Sequence, residues 1–165
     1  MEESSLLETT AEVAVAFAGF IGIVLVLASR EGRFPGRDSL QIRVIVAASV
    51  TPIFYAVTPL LLDHLHVATD VIWRASSGFA GLAGLAITAF LIPQMRSVAP
   101  TERPPMTSVN SLTAWMLTIC ALLCHLLNVL AWPWPSSGGL YLLGVWLVLA
   151  VAGTNFVSLI FRKVL

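Results

Sequence analysis

Glu12, Arg74 and His125 each lie inside a long apolar stretch of the sequence, where burying an ionisable side chain is costly. A carboxylate and a guanidinium in such surroundings need a partner or water, and a histidine changes its charge near neutral pH. We therefore expect Glu12 and Arg74 to pair at the mouth of an outward-facing cavity, with His125 and Asn128 deeper in the membrane. The alternative is a structural ion pair beside a hydrogen-bonded core histidine, and the sequence leaves both open.

Helical spacing aligns further polar residues on one face of each apolar stretch. Because these residues lie at several depths, they predict a polar path that continues inward from the outer cavity. Ordinary helix packing is the alternative, since small residues let helix backbones approach and hydroxyls and amides bond across helices. The candidate pore or binding residues are Glu12, Thr51, Tyr55, Thr58, Asp70, Arg74, Thr118, His125, Asn128 and Asn155.

Two prolines, Pro52 and Pro59, interrupt the second apolar stretch, each directly after a threonine. A proline has no N–H, so it frees the carbonyl one turn earlier in a helix. That carbonyl can face a cavity or accept a hydrogen bond from a nearby hydroxyl. Broken helices line the binding sites of many transporters, which makes this stretch a candidate wall of such a site.

The segment Asp63-His64-Leu65-His66 contains donors suited to zinc or copper. A metal site needs three or four converging ligands, and the two histidines supply only two. Asp63, His64 and His66 are therefore weak metal candidates, with a solvated polar turn as the alternative. Haem would need histidines that face each other from different helices, but only His125 lies within an apolar stretch. No cofactor is predicted.

Cys120 and Cys124 lie four positions apart in one apolar stretch, so they share a helix face. Their spacing matches neither a redox CxxC motif nor a zinc knuckle, and small packing residues are the simplest interpretation. The sequence also lacks a phosphate-binding loop, a nucleophile elbow and a zincin motif. The interpretation leans away from an enzyme, with acid–base chemistry at Glu12 and His125 as an open alternative.

Helices that cross a membrane must position these side chains. Hydrophobic residues make up 58% of the chain and charged residues 11%, against roughly 45–50% and about 25% in soluble domains. Each of five apolar segments approaches the ~20 residues that a helix needs to cross a bilayer. The sequence predicts an all-α integral membrane protein, a five-transmembrane-helix bundle in one domain over 1–165. The predicted spans are about 11–29, 41–62, 71–94, 108–132 and 140–161.

The basic residues predict the orientation of these spans. If the five spans alternate in direction, Arg74 alone among the nine basic residues falls on one side. The side rich in Lys and Arg faces the cytoplasm in most membrane proteins. The N-terminus is therefore predicted outside and the C-terminus inside the cell. The residues on the cytoplasmic side are Arg30, Arg33, Arg37, Arg43, Arg96, Arg103, Arg162 and Lys163.

Small residues on every span favour a homo-oligomer in the lipid bilayer. The function predicted from the graded polar residues is a channel or transporter for a small ion or solute. The alternative is an intramembrane lipid-, quinone- or haem-binding protein or enzyme, and a third interpretation is an accessory subunit of a membrane complex. The net charge is zero, and no basic run has interleaved aromatics, so nucleic-acid binding is not expected. A bacterial inner membrane is the expected location.

Overall fold

The computed structural model describes residues 4–29, 36–98 and 109–164 of the chain. These ranges contain five helices and no strand, and all five helices are long and apolar enough to span a membrane. The predicted all-helical class is confirmed at this level. The helices are α1 (Ser4–Ser29), α2 (Gly36–His64), α3 (Thr69–Ser97), α4 (Val109–Leu130) and α5 (Gly138–Val164).

Several residues used in the sequence interpretation lie outside the described residues. Three of them, Arg30, Arg33 and Arg103, belong to the charge pattern from which the orientation was predicted. Pro104 and the neighbouring Pro105 belong to the predicted break between the third and fourth spans and lie outside as well. The direction in which the bundle crosses the membrane therefore stays a prediction.

The helices α2, α3, α4 and α5 form a four-helix group. In the described part of the chain, α5 packs against α2 and α4, and α3 packs against the same two helices. The backbones of α2 and α4 do not approach each other, and those of α3 and α5 meet only briefly. The helix α1 lies outside this group, packed mainly on α2 and slightly on α5. The four helices therefore surround the middle of the group, and no helix of the described residues runs through it.

Neighbouring helices run antiparallel, so the bundle has two ends. We call the end at which α1, α3 and α5 begin the Trp73 end, and the end at which α2 and α4 begin the Gln41 end. At the Trp73 end a core cluster fills the space between the helices. Its fully buried members come from four helices and include Leu7, Tyr55, Ile72, Trp73 and Tyr141.

A second apolar cluster, nearer the Gln41 end, consists of Ile21, Ile45, Phe156 and Leu159. The rings of Phe17 and Phe156 pack edge to face, with centroids 6.1 Å apart. These residues lie on α1, α2 and α5, so the cluster joins α1 to the four-helix group. This cluster lies where α1 meets α2 and α5, and not between α2 and α4. The space between α2 and α4 is therefore not filled by the cluster at this end.

The helix α1 uses an apolar face for packing. Leu7, Thr10, Ala14 and Ile21 are buried along it, at the spacing of one helical face. Glu12 is exposed on another face. The mostly apolar face of α1 thus packs against the bundle, and the face that carries Glu12 points away from the bundle core.

Candidate functional site

A cavity lies in the middle of the four-helix group and reaches the Gln41 end. Its first part, which we call the mouth part, encloses about 890 Å³ of space, including the portion open to the outside. Its second part, which we call the closed part because it ends at the core cluster, extends toward the Trp73 end. It encloses about 610 Å³ on the same measure, again including space open to the outside. The two parts adjoin each other, since they share wall residues from all four helices: Val44, Thr88, Leu91, Thr118 and Val151.

The cavity is long and narrow. Gln41 lines the mouth part and Tyr55 lines the closed part of the same helix, α2. On α4 the corresponding residues are Ser111 and His125. Fourteen positions separate the residues of each pair, which is about 21 Å at the helical rise of ~1.5 Å per residue. The space therefore has the length of an extended hydrocarbon chain.

The cavity wall is mostly hydrocarbon. Among the described residues that line it there is no Asp, Glu, Lys or Arg. The threonine hydroxyls in the wall donate to carbonyls of their own helices: Thr51 to Ala47 at 2.6 Å, and Thr118 to Ala114 at 2.8 Å. Each threonine proton is thus used within its helix, and only the oxygen lone pairs stay available to a molecule in the cavity.

His125 lines the closed part at its far end. The side chain is 2% exposed, and neither ring nitrogen has a hydrogen-bond partner. Its ring lies between two tyrosines, with centroid distances of 6.0 Å to Tyr55 and 5.5 Å to Tyr141, both edge-on. The sequence predicted a buried histidine here, but not its aromatic surroundings.

Gly144 of α5 makes room for the imidazole. A Cβ at this position would lie 2.8 Å from both Cε1 and Nε2 of His125, closer than atoms of neighbouring side chains approach. Any larger residue would push the ring away from α5. Gly144 lies three residues after Tyr141, on the small-residue face of the fifth span. That spacing is a signal that could have identified it, although the sequence interpretation treated it as packing.

The two tyrosines beside His125 hold three helices together. The Tyr55 hydroxyl donates to the Ala80 carbonyl on α3 at 2.9 Å, and the Tyr141 hydroxyl donates to the Tyr55 carbonyl on α2 at 2.6 Å. The Tyr55 carbonyl is available because Pro59, four residues later, has no N–H to offer it. The freed carbonyl expected from this proline is therefore satisfied by a hydroxyl of α5.

The other proline of α2, Pro52, frees the carbonyl of Ala48 in the same way. Ala48 lines the closed part of the cavity. The residue four positions later, which would normally donate its N–H to the Ala48 carbonyl, is Pro52, and proline has no N–H. The wall therefore contains a backbone acceptor without its usual helical partner.

Asn128 fixes the connection between α4 and α5. Its amide nitrogen donates to the Ser77 hydroxyl at 2.8 Å, and its oxygen accepts from the backbone N–H of Ser137 at 2.7 Å. The Ser137 hydroxyl in turn accepts from the N–H of Leu140, as an N-cap does at the start of a helix. The side chain is fully buried. Its polar atoms are thus used between helices, near the cavity but outside its lining.

The structure does not bring together the ionisable residues predicted for the outer cavity. Glu12, Asp70 and Arg74 are all exposed. The backbones of α1 and α3 do not approach each other over the described residues, and Glu12 and Arg74 do not form the expected pair. Instead, Arg74 Nε donates to the Val129 carbonyl at 3.1 Å. The expected pairing is corrected because α1 packs on the far side of α2 and α5.

Of the remaining candidates, Thr51, Tyr55, Thr118 and Asn155 line the cavity. Thr58 does not, and its hydroxyl donates to the Phe54 carbonyl at 2.7 Å. Asn155 lies in the mouth part, where its amide donates to the Val151 carbonyl at 2.9 Å. Part of the predicted set of polar residues therefore contributes to the cavity wall. Over the described residues, the rest of the set does not form the predicted outer cavity.

The mouth part also uses residues that the sequence interpretation did not single out. Gln41 donates to the backbone carbonyl of Asn155 at 2.6 Å and so ties α2 to α5. Asn110 and Trp115 line the same region from α4. They lie within or beside the ends of the predicted spans, where polar and aromatic residues are ordinary. Only their position between helices in the structure distinguishes Gln41, Asn110 and Trp115 from other residues at the ends of the spans.

The metal candidates do not converge. Over the described ranges, no group of three His, Cys, Asp or Glu side chains lies close enough to hold a metal ion. His64 and His66 are exposed at the connection between α2 and α3, and His125 lies inside the bundle. Two histidines that face each other, as haem would need, are therefore not assembled in this chain.

No family model, no curated protein and no solved structure matches the chain. The five apolar helices are compatible with a small membrane protein. The chemistry of the site must then be inferred from the cavity itself. That cavity combines a hydrocarbon wall, one imidazole and a closed far end.

Proposed function

We propose that the protein binds a neutral, mostly hydrocarbon molecule inside the membrane, in the cavity between α2, α3, α4 and α5. The observation that carries this proposal is the cavity itself, which is long, apolar and filled by no side chain. Of the functions considered from the sequence, this one belongs to the intramembrane binding proteins.

The charge of the wall supports a neutral ligand. An ion in a low-dielectric site is stable only when it is paired or hydrated, because desolvating it costs several kcal/mol or more. The described wall residues include no charged partner for an anion or a cation. A neutral molecule meets no such cost, and it gains from contact with the alanine and leucine side chains of the wall.

The packing of the Trp73 end favours binding over conduction. A permeation route would need polar space through the whole bundle, and the core cluster of Tyr55, Trp73 and Tyr141 fills the Trp73 end. The ionisable residues predicted for an outer vestibule lie on exposed helix faces instead. The homo-oligomeric state and the bacterial inner-membrane location predicted from the sequence stay predictions.

Native mass spectrometry of the purified full-length protein in detergent tests the proposal. The probes are decylbenzene, which is neutral, and decanoate, which has a similar tail and a negative charge. We expect one decylbenzene per chain at concentrations that give no decanoate adduct. The blocking variant is Thr118→Phe, since Thr118 lines both parts of the cavity.

Thr113→Phe is the matched control. Thr113 lies on the same helix and donates to the Val109 carbonyl at 2.8 Å, just as Thr118 donates one turn back, but it does not line the cavity. We expect Thr118→Phe to lose at least ten-fold in decylbenzene affinity and Thr113→Phe to keep it. Ala114→Leu, which narrows the mouth part, gives a second blocking variant if Thr118→Phe does not fold. Equal binding by all folded variants, or no binding by the wild type, would overturn the proposal.

A further inference from the structure

We infer that the ligand of this cavity is a single-chain neutral lipid of the monoacylglycerol type, with its hydroxyl-bearing head group in the mouth part and its tail in the closed part. This inference rests on the proposed function, since it names the class of molecule that the cavity would hold and the direction in which it lies. The residues that carry it are at the Gln41 end, where Gln41, Asn110, Trp115 and Asn155 line the wall.

The first argument is the free hydrogen-bonding capacity of the mouth part. The amide of Asn110 and the indole N–H of Trp115 donate to no described group. Gln41 and Asn155 use their amide nitrogens as donors, which leaves their side-chain oxygens without a described partner. The mouth part therefore offers both donors and acceptors. A hydroxyl can bond to either kind of atom, since it donates and accepts.

These free atoms can be reached from the cavity. The side chains of Gln41, Asn110 and Trp115 are only half-buried, and all three line the mouth part. Over the described residues, the polar side-chain atoms that are both fully buried and without a partner belong to Ser76 and His125. The free atoms of the mouth part are not among them, so they retain accessible surface.

The second argument is that the closed part offers no comparable donor. The hydroxyls of its wall all donate to backbone carbonyls, and they belong to Thr51, Tyr55, Thr88 and Thr118. The ring nitrogens of His125 are fully buried and lie beside Gly144, which does not line the cavity. A hydrocarbon tail needs no hydrogen bond, so it suits the closed part, and the polar head group suits the mouth part.

The third argument is the position of the mouth part along the helices. Asn110 is the second residue of α4, and Gln41 lies in the second turn of α2. The ends of helices that cross a membrane lie close to the lipid head groups, where tryptophan is also enriched. A lipid with its head group at the mouth part would therefore lie as the lipids of the adjacent leaflet do. It could enter the cavity from that leaflet without turning over.

The wall and the helix arrangement favour one chain and no charge. The described wall residues include no Lys or Arg that could pair with a phosphate, and an unpaired charge in such a site is costly. Each of the four helices contacts two neighbours around the cavity. Because packed helices lie about 8–10 Å apart, the space that they enclose is narrow. It takes one extended chain more readily than two.

Monodecanoylglycerol and decylbenzene separate the head group from the tail, with affinities measured by titration in native mass spectrometry. For the wild type we expect monodecanoylglycerol to bind about ten-fold more tightly, the effect of one or two hydrogen bonds. The double variant Asn110→Leu/Trp115→Phe removes both free donors and keeps side chains of similar shape. We expect it to bind the two probes equally, with decylbenzene affinity near the wild-type value.

Gln94→Leu is the matched control for the head-group test. Gln94 is also a carboxamide near the Gln41 end, but it bonds to Arg43 and does not line the cavity. We expect this variant to keep the wild-type preference for monodecanoylglycerol. Asn110→Gln, which retains the amide, should keep a larger part of the preference than Asn110→Leu.

Tail length tests the direction of the lipid. Ala121 lines the closed part alone and lies eleven positions after Asn110 on α4, which is about 16 Å at the helical rise of ~1.5 Å per residue. We expect Ala121→Leu to weaken monohexadecanoylglycerol at least ten-fold and to leave monooctanoylglycerol near its wild-type affinity. Ala48→Leu, also in the closed part, is the second variant if Ala121→Leu does not fold.

The outcomes distinguish the inference from the function on which it rests. Equal binding of monodecanoylglycerol and decylbenzene by the wild type would overturn the inference and leave the binding cavity intact. A preference that survives in Asn110→Leu/Trp115→Phe would remove the head group from the mouth part. Loss of monooctanoylglycerol in Ala121→Leu would reverse the direction of the lipid. Failure of every probe to bind the wild type would overturn both proposals.

Discussion

The two ends of the four-helix group use their polar residues differently. At the Trp73 end, Tyr55, Asn128 and Tyr141 bond to groups on other helices. At the Gln41 end, Thr118 and the Asn155 amide bond to carbonyls of their own helices. The bond from Gln41 to the Asn155 carbonyl at this end joins the neighbouring helices α2 and α5 and does not cross the cavity. The first end is closed by a core cluster, and the second contains the cavity.

This difference shows how a small bundle of apolar helices can hold both a rigid core and an empty space. A bond between helices fixes their separation, whereas a bond within one helix leaves that separation free. His125 lies between the core cluster and the cavity, and its ring nitrogens bond neither to another helix nor to their own. Since lipid offers no hydrophobic drive for helix association, such bonds and close packing decide where helices meet.

The largest effect on stability is expected from Gly144→Ala. The added Cβ would lie 2.8 Å from two atoms of the His125 ring, and overpacking of this kind costs about 1–3 kcal/mol. The measurement is the midpoint of unfolding in detergent. Gly153→Ala, on the same helix with nothing within 4 Å of its Cβ, is the control and should not destabilise the protein. In a His125→Ala background the Gly144→Ala change should cost much less, since the ring that the new Cβ would meet is gone. Equal midpoints for the two glycine variants would contradict the close approach.

A smaller loss is expected from Asn128→Ala at the closed end. The change leaves the Ser77 hydroxyl and the Ser137 N–H without their partner, which costs about 1 kcal/mol in a membrane helix bundle. Asn110→Ala, at the mouth part, provides the comparison. Chemical unfolding of both variants measures the difference. If Asn110→Ala destabilised the protein as much as Asn128→Ala, the contrast between the two ends would be wrong.

The bond between Tyr141 and the carbonyl freed by Pro59 can be measured by a double-mutant cycle. We expect Tyr141→Phe to cost up to about 1 kcal/mol, because the Tyr55 carbonyl loses its only identified donor. In a Pro59→Ala background the alanine N–H can take over that carbonyl, so the cost of Tyr141→Phe should shrink. Unfolding free energies of the four proteins give the coupling. Additive effects would show that the hydroxyl and the proline act independently.

The smallest effect is expected from Glu12→Gln. Glu12 is exposed on α1, whose backbone does not approach that of α3 over the described residues. We expect its unfolding free energy to stay within about 0.5 kcal/mol of the wild type. Ion flux into liposomes should be the same for both proteins. A flux in the wild type that falls in the variant would restore Glu12 to a permeation route and favour the channel predicted from the sequence.

The sequence predicted helices and inward faces well where one face is both small and polar. On α4 the stripe of Ser111, Ala114, Thr118, Ala121 and His125 does line the cavity. Hydropathy also predicted five long apolar helices. Four of the observed helices extend beyond the predicted spans, as α1 does by beginning at Ser4, and α4 (Val109–Leu130) is slightly shorter than predicted. A helix continues into polar residues that a hydropathy profile assigns to loops.

The inward face of α1 could not be predicted in the same way. Its polar stripe contains Glu8 and Glu12, which are exposed, while Leu7, Ala14 and Ile21 are buried. In a membrane, hydrocarbon side chains suit the lipid and the interior equally, so a periodic pattern does not reveal which face packs. Likewise, nothing in one sequence shows that α2 and α4 stay apart. The cavity therefore depends on the arrangement of helices and became visible only in the structure.

The most direct test of the binding cavity is photolabelling with a neutral decylphenyl diazirine, followed by mass spectrometry of the fragments. The account predicts labels on Leu91, Thr118 and Val151 that disappear when excess decylbenzene competes. Labels on lipid-facing residues such as Phe90 and Leu123 should not respond to the competitor. If only the outward-facing residues were labelled, or if no label responded to decylbenzene, the middle of the bundle would not be a binding site.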